Sequence, residues 1–265
     1  MFGIIGAGNI GSAILRSAIQ HGALRSDEAH VYDVNPEHTQ ALKKELGITA
    51  HASSRDLIAS CDMILLAVKP NVVEKVLKAE KAALQGKALI SIAAGWRVEM
   101  LKKVVGESVR LLRAMPNTPL LVGEGMTVFS LDHTLTKDES AFAEGLFRAL
   151  GRQLWVEEYQ MDAVTALSGS SPAFAYIFTE AMADAGVACG LSRMQSVEMA
   201  AQTLLGSAKM VLETGMHPGA LKDMVCSPAG TTIAGVRALE AHNFRSVVME
   251  AVIAANDRSA ALNNS

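Results

Sequence analysis

The sequence predicts an α/β fold in its first part and an all-helical fold in its second, on three observations. Residues 1–157 alternate short β-like runs with helical stretches, a glycine-rich hexapeptide joins the first run to the first helix, and strand signals vanish beyond Glu157. Such alternation marks a parallel sheet covered by helices on both faces. The 265 residues therefore divide into two domains, 1–157 and 158–265, a length beyond the usual single-domain size of about 100–150 residues.

In chain order, "FGII" (2–5) is the first strand and "SAILRSAIQHG" carries the first helix. "HVYDV" (30–34), "MILLAV" (63–68), "ALISIA" (88–93) and "VRLLRAM" (109–115) are further strands, and "GMTVFS" (125–130) and "QLWV" (153–156) extend the same sheet. Helical spacing runs over Pro36–Leu46 and Ser54–Ser60, the latter opening on Ser54. After Glu157 the chain reads as helices over 159–167, 172–189, 193–214, 218–226, 231–241 and 246–262. Ser192 with Gln195 forms a capping box, Gly215 suits a helix C-cap, and Pro172 and Pro218 suit first-turn positions. A polar tail from Asn263 is expected to fray.

Hydrophobic residues make up 50% of the chain, aromatic residues 5% and charged residues 19%, which suits an aliphatic core. A net charge of −3 offers no basic field to nucleic acid or to an anionic membrane, so neither partner is expected. No signal-like run opens the sequence and no apolar run approaches the roughly 20 residues that span a bilayer, so the expected location is cytoplasmic. Cys61, Cys189 and Cys226 are odd in number, far apart and without metal-ligand spacing, so neither a disulfide framework nor a metal site is expected. In the second part, Glu198 to Leu212 is apolar on more than one face, which calls for a second layer of helices; a homodimer is the expected source.

"GAGNIG" has the G-x-G-x-x-G spacing between a strand and a helix, the context in which the motif binds a dinucleotide. Gly6, Gly8 and Gly11 allow the tight turn, the approach of a pyrophosphate and close helix packing, while Ala7, Asn9 and Ile10 complete the loop that offers backbone amides. Asp33 closes the second strand about 20 residues further on, where a carboxylate receives a ribose diol. The first domain is thus a Rossmann dinucleotide-binding domain. Asp33 repels a 2′-phosphate, and no Arg or Lys lies between Asp33 and Thr39, so NADH is favoured over NADPH as the NAD(P)H cofactor. Arg55 could reach in from the next loop, and an Asp33 side chain turned to the helix after Asn35 would be structural. "AVKPN", with Ala67, Val68, Lys69 and Pro70, "SIAAG", with Ala93 and Ala94, and "MPNTP", with Asn117, follow strand ends on the same edge and are expected to flank the cofactor.

The segments "GIIGAGNIGSAI", "LAVKP", "SIAAG", "MPNTP", "LSGSSPAF", "HPGALKDMVCSPAGTTIAGVRALE" and "FRSVVMEAVIAANDRS" together resemble the 1-pyrroline-5-carboxylate reductases, from the first strand to the last helix. The resemblance implies reduction of 1-pyrroline-5-carboxylate to L-proline by a dimer of intertwined helical domains, in some members a larger ring of dimers. It implies that Thr232 hydrogen-bonds the ring nitrogen, and that Ser227, Ala229, Gly230 and Thr231 hold the substrate carboxylate on side chain and backbone. Glu158 is a further candidate at the ring nitrogen. The family's adenosine contacts fall near Asp33, Asn35 and Ser54. Ala229 stands where the family usually has a second glycine, which the turn tolerates only at negative φ. Met224 stands where many relatives have Asn, leaving one polar contact missing or supplied by backbone.

A protonated cyclic imine is already a strong electrophile, so positioning, a partner for the nitrogen and an anion seat suffice, and no catalytic His is required. His217 beside Pro218 reads as a helix-start residue. Two rivals stand beside this reading. A β-hydroxyacid dehydrogenase would use a lysine in the first long helix of the second domain, yet none occurs between Lys137 and Lys209. A dinucleotide-binding regulator without turnover would not need Thr232.

Overall fold

Eight strands join in one sheet in the computed structural model, which describes residues 1–263. The polar tail, from residue 264 on, lies outside them. The elements are β1 (Phe2–Ile5), α1 (Asn9–Gln20), β2 (Ala29–Tyr32), α2 (Pro36–Leu46), β3 (Thr49–Ala50), α3 (Ser54–Ser60), β4 (Met63–Leu66) and α4 (Pro70–Glu80). β5 (Ala88–Ser91), α5 (Val98–Val105), β6 (Arg110–Pro116), β7 (Gly125–Ser130), α6 (Lys137–Arg148) and β8 (Gly151–Val156) complete the sheet. Helices α7 (Met161–Val164), α8 (Ser171–Ala188), α9 (Arg193–Thr214), α10 (Pro218–Val225), α11 (Thr231–Ala241) and α12 (Phe244–Asn263) follow.

The strand order is β3-β2-β1-β4-β5-β6-β7-β8, parallel from β3 through β6. β1 lies in the centre, Phe2–Ile5 in register with Ala29–Tyr32 on one side and Met63–Leu66 on the other. Helices cover both faces, so the inner strands read as continuous apolar runs. One face packs Phe2, Ile4, Ile14, Phe129 and Phe147, and the other Ile5, Leu57, Ile64, Leu66 and Leu101. β7 turns back antiparallel to β6 because only a short 3-10 segment, Thr118–Val122, separates them. β3, two residues long, was too short to leave a pattern in the sequence. The cap of α3 is Ser53 rather than Ser54: its side chain accepts the Asp56 amide.

A π-helical stretch, Thr165–Ser170, runs between α7 and α8. Pro172 lies at the second position of α8 and lacks the amide that would bond the Ser168 carbonyl four residues back. Asn117 Nδ2 takes that carbonyl at 3.1 Å. The expected helix start at Pro172 is therefore a change of helical pitch.

Two units result, Met1–Ser170 with the stretch from Ala255, and Ser171–Ala254. Residues 158–170 stay with the sheet because Arg113 pairs with Glu158, Arg97 with Asp162 and Asn117 with Ser168. In the helical unit, α9 begins at the Ser192–Gln195 capping box and ends at Gly215 with φ 64°. Gly186 lets α8 approach α9: a Cβ there would lie 2.6 Å from Ser196 Oγ. Yet no described residue of α10 or α11 is buried, and Ile177, Met194, Met224, Val225, Val247 and Met249 are all exposed. Among the described residues, no helix is long and apolar enough to cross a membrane.

Candidate active site

The glycine loop is built as close packing requires. Gly6 has φ 106°, and a Cβ there would meet the Ala67 backbone; one on Gly11 would strike the Gly6 carbonyl. Gly8, the N-cap of α1, faces open space and carries no side-chain cap. The amides of the first turn, at Asn9, Ile10 and Gly11, lack helical partners and no acidic side chain competes for them. The Ala7 amide is used otherwise: it donates to Asp33 Oδ2 at 2.6 Å.

Asp33 Oδ1 accepts the Asn35 amide at 2.8 Å, and Asn35 in turn caps α2 by accepting the Glu37 amide at 3.0 Å. The carboxylate thus has the structural duty toward the following helix that the sequence left open. A carboxylate has about four lone-pair sites, and Asp33 still lines the neighbouring cleft. That cleft, of about 430 Å³, runs from Gly6 and Gly8 past Asp33 and Ser54 to an apolar wall of Val72, Val76 and Ala79 on α4. Ser54 Oγ donates to Glu80 Oε1 at 2.8 Å.

Ala67, Val68 and Lys69 also line the cleft, and Pro70 opens α4, whose N-cap Lys69 makes no side-chain cap. Trp96 Nε1 donates to the Pro70 carbonyl at 2.9 Å, joining the loop after β4 to the loop after β5 that carries Ala93 and Ala94. Ala93 is buried, so it can meet a ligand only through its backbone. Asn117, expected on the cofactor wall, has both polar ends in use: besides bonding Ser168 it accepts the Met126 amide at 2.8 Å. It clamps the β6–β7 connection to the π-helical stretch.

Glu158, the further candidate at the ring nitrogen, is tied to the sheet through one carboxylate oxygen. Its Oε1 accepts Arg113 Nη1 at 2.8 Å and the Val98 amide at 3.4 Å, and the Arg113 side chain is only 2% exposed. A buried guanidinium demands such a partner, so Glu158 serves the sheet through Oε1, while its Oε2 is buried without a hydrogen-bond partner among the described residues. The signal was an arginine within the apolar run "VRLLRAM", a charge that had to be neutralised wherever it was buried.

In the helical unit, Gly230 N donates to the Ser227 carbonyl at 3.1 Å, closing a four-residue turn with Pro228 and Ala229 at its centre. Ala229 has φ 58°. This overturns the expectation of negative φ: proline second and positive φ third are the marks of a type II turn, and the closing hydrogen bond holds alanine in the left-handed region. A Cβ on Gly230 would collide with Ser227 Oγ, so a side chain there must displace the Ser227 hydroxyl. Gly230 is the N-cap of α11 and supplies no side-chain cap, which leaves the amides of Thr231 and Thr232 without helical partners. Thr231 is exposed and Thr232 half-buried. Met224 is exposed and brings no hydrogen-bonding group comparable to an amide. His217 caps α10 by accepting the Gly219 amide at 3.1 Å, the helix-start duty expected of it. No cluster of three metal-ligating side chains occurs among the described residues.

The chain matches a family model described as pyrroline-5-carboxylate reductase dimerisation over residues 158–262, and one described as NADP oxidoreductase, coenzyme F420-dependent, over residues 1–95. It is 44% identical over 264 residues to the pyrroline-5-carboxylate reductase of Escherichia coli, covering 99% of this chain and 98% of that one. With the enzyme of the same name from Arabidopsis thaliana the identity is 41%, over 99% and 95% of the two chains. The crystal structure of Plasmodium falciparum pyrroline carboxylate reductase with NADP bound superimposes with a TM-score of 0.89 at 34% identity, covering 99% of this chain and 97% of that chain.

Proposed function

The chain belongs to the pyrroline-5-carboxylate reductase family, and from that premise we propose that it reduces the C=N bond of 1-pyrroline-5-carboxylate to give L-proline. The observation that carries this reading is the family match along nearly the whole chain, with a glycine cradle and an uncapped helix start both intact. The cradle fits a dinucleotide: Gly6 and Gly11 let the loop and helix close up without side chains, Gly8 faces open space, and the first turn of α1 presents unclaimed amides to a pyrophosphate. When bound, the reduced nicotinamide supplies the hydride.

The chain's own residues supply position and charge. Gly6 to Gly11 hold the pyrophosphate, Asp33, Asn35 and Ser54 border the adenosine side, and the backbone of 67–70, Ala93 and Ala94 walls the reactive end. Asn117 holds the neighbouring β6–β7 connection to the π-helical stretch. The Ser227 hydroxyl and the free amides of Thr231 and Thr232 seat the substrate carboxylate at the positive end of α11, while the Gly230 amide stays in the turn it closes. The Thr232 hydroxyl accepts the N–H of the protonated imine, whose carbon gains the hydride while its nitrogen keeps the proton and becomes the amine of proline. The reacting atoms must come within about 3 to 3.5 Å of each other. No general base is needed because no proton has to be removed.

NADH preference belongs to the same reading. Asp33 sets a negative charge beside the ribose, and Arg55, the cation of the next loop, is bonded to Glu80 and to the Ala79 carbonyl. So does a cytoplasmic homodimer, or a ring of such dimers, formed through the exposed apolar helices. The test is nicotinamide oxidation dependent on added pyrroline-5-carboxylate, run with both cofactors and with proline identified as product. Dinucleotide binding without turnover would return the chain to the class of non-catalytic binding proteins.

A further inference from the structure

We propose that Glu80 sets the choice between NADH and NADPH by holding Arg55 away from the ribose end of the cleft. The inference rests on the reading that the dinucleotide occupies the cleft bordered by Asp33 and Ser54.

Glu80 is the last residue of α4 and is 8% exposed. Carboxylates are almost never so buried without partners. Its partners come from the start of α3: Ser54 Oγ donates to Oε1 at 2.8 Å and Arg55 Nε to Oε2 at 3.3 Å. The Arg55 fork is held a second time, Nη2 donating to the Ala79 carbonyl at 3.2 Å. Both anchors lie at the C-terminal end of α4, the negative end of its dipole, where a cation is favoured.

Ser54 and Glu80 line the cleft together with Asp33. A 2′-phosphate would therefore meet two carboxylates, while the guanidinium best shaped to pair with it is already bonded to one of them. The Arg55 side chain is 67% exposed, so loss of its Glu80 partner leaves it free to turn toward the cleft. One substitution at Glu80 both removes a negative charge from the cleft and frees an arginine beside it. Lys69 and Lys75 also line the cleft. Lys75 is the competing source of positive charge, and the experiment separates it from Arg55.

The test compares kcat/KM for NADPH and NADH in the full chain and in E80Q, R55A, the E80Q/R55A double variant and the E80Q/K75A double variant. E80Q raises the NADPH-to-NADH ratio about tenfold, the effect of one gained charge-assisted pair. R55A alone keeps the ratio within about twofold, E80Q/R55A loses the gain, and E80Q/K75A keeps it. An unchanged ratio in E80Q, a selective loss of NADPH in R55A alone, or loss of the gain with Lys75 removed overturns the proposal. Should E80Q fold poorly, E80A, which likewise removes the charge and frees Arg55, serves the same comparison. A wild-type chain that prefers NADPH would overturn the NADH reading alone. A chain without turnover still reports on Glu80 through the dissociation constants of the two dinucleotides.

Discussion

The Asp33 carboxylate accepts the Ala7 amide at 2.6 Å, so the acidic end of the second strand is bonded to the glycine loop itself. The residue proposed to border the ribose is also the residue that shapes the glycine-loop turn. Asp33→Ala would leave the Ala7 and Asn35 amides without their acceptor, a loss of about 2 to 3 kcal/mol for hydrogen bonds to a charged group. The expected result is a lower melting temperature together with at least a tenfold rise in the KM for NADH, measured by thermal denaturation and initial rates. A variant that changes cofactor preference but not stability would show that the tie to Ala7 is dispensable.

Thr232 stands in the first turn of α11, where its removal takes away one hydroxyl and disturbs no buried core. Thr232→Ala should reduce kcat/KM for pyrroline-5-carboxylate about 10- to 100-fold, the range expected when a hydrogen bond to a reacting group is lost. Circular dichroism and the melting temperature should stay unchanged. Kinetics equal to those of the parent chain would remove Thr232 from the mechanism.

Ala229 at φ 58° carries the steric cost of an L-residue in the left-handed region, about 1 kcal/mol. Ala229→Gly relieves it, in part offset by the freer unfolded chain. A net gain of about 0.5 kcal/mol raises the melting temperature by about 1 to 2 °C in a chain of this size. The neighbouring Gly230→Ala has the opposite effect, because its methyl group would push Ser227 out of the turn. Denaturant titration of the two variants compares them directly, and a destabilised Ala229→Gly would show that the turn is not strained.

Most elements were legible because their signals are local. The spacing of 36–46, 193–214 and 231–241 matches the observed helices, and "GMTVFS" matches its strand residue for residue. Gly6 and Gly11 announced their own use, since a Cβ on the first would meet the Ala67 backbone and one on the second the Gly6 carbonyl. What stayed hidden depends on distant partners. Nothing near Glu158 in the sequence announces Arg113, and nothing near Arg55 announces Glu80. The left-handed Ala229 was missed for a different reason: intrinsic preference pointed to negative φ, and the turn's closing hydrogen bond prevailed. The division at Ser170 likewise depends on Asn117 reaching a carbonyl that Pro172 leaves unbonded.

The apolar faces of the helical unit predict self-association. Val247 and Met249 on α12 are each 62% exposed, and Ile177, Met194, Met224 and Val225 on other helices of the unit are also largely exposed; large exposed apolar side chains in such number mark an interface. Val247→Asp places a charge there and should shift the protein toward monomer or aggregate, read by light scattering coupled to size exclusion. An oligomer of unchanged mass and stability would place the interface elsewhere.

His30 and His51 predict a pH dependence of stability. His30 Nδ1 and His51 Nε2 lie 2.7 Å apart with the rings stacked, so one nitrogen donates and the other accepts. Two protonated rings cannot share that bond. Burial, then the charge of His51 and the amine of Met1, holds the His30 pKa below its ordinary 6.5. Burial also lowers that of His51, against an opposing pull from Asp56. Because the folded state binds its protons less readily than the unfolded chain does, the unfolded state gains protons first as the pH falls. Stability from this pair is therefore complete above about pH 6.5 and declines as the pH drops through the depressed folded values. His51→Gln keeps a partner for His30 but removes one titrating ring, so it should flatten the fall in melting temperature between about pH 7 and pH 5. Parallel profiles for the variant and the parent chain would assign acid sensitivity to other groups.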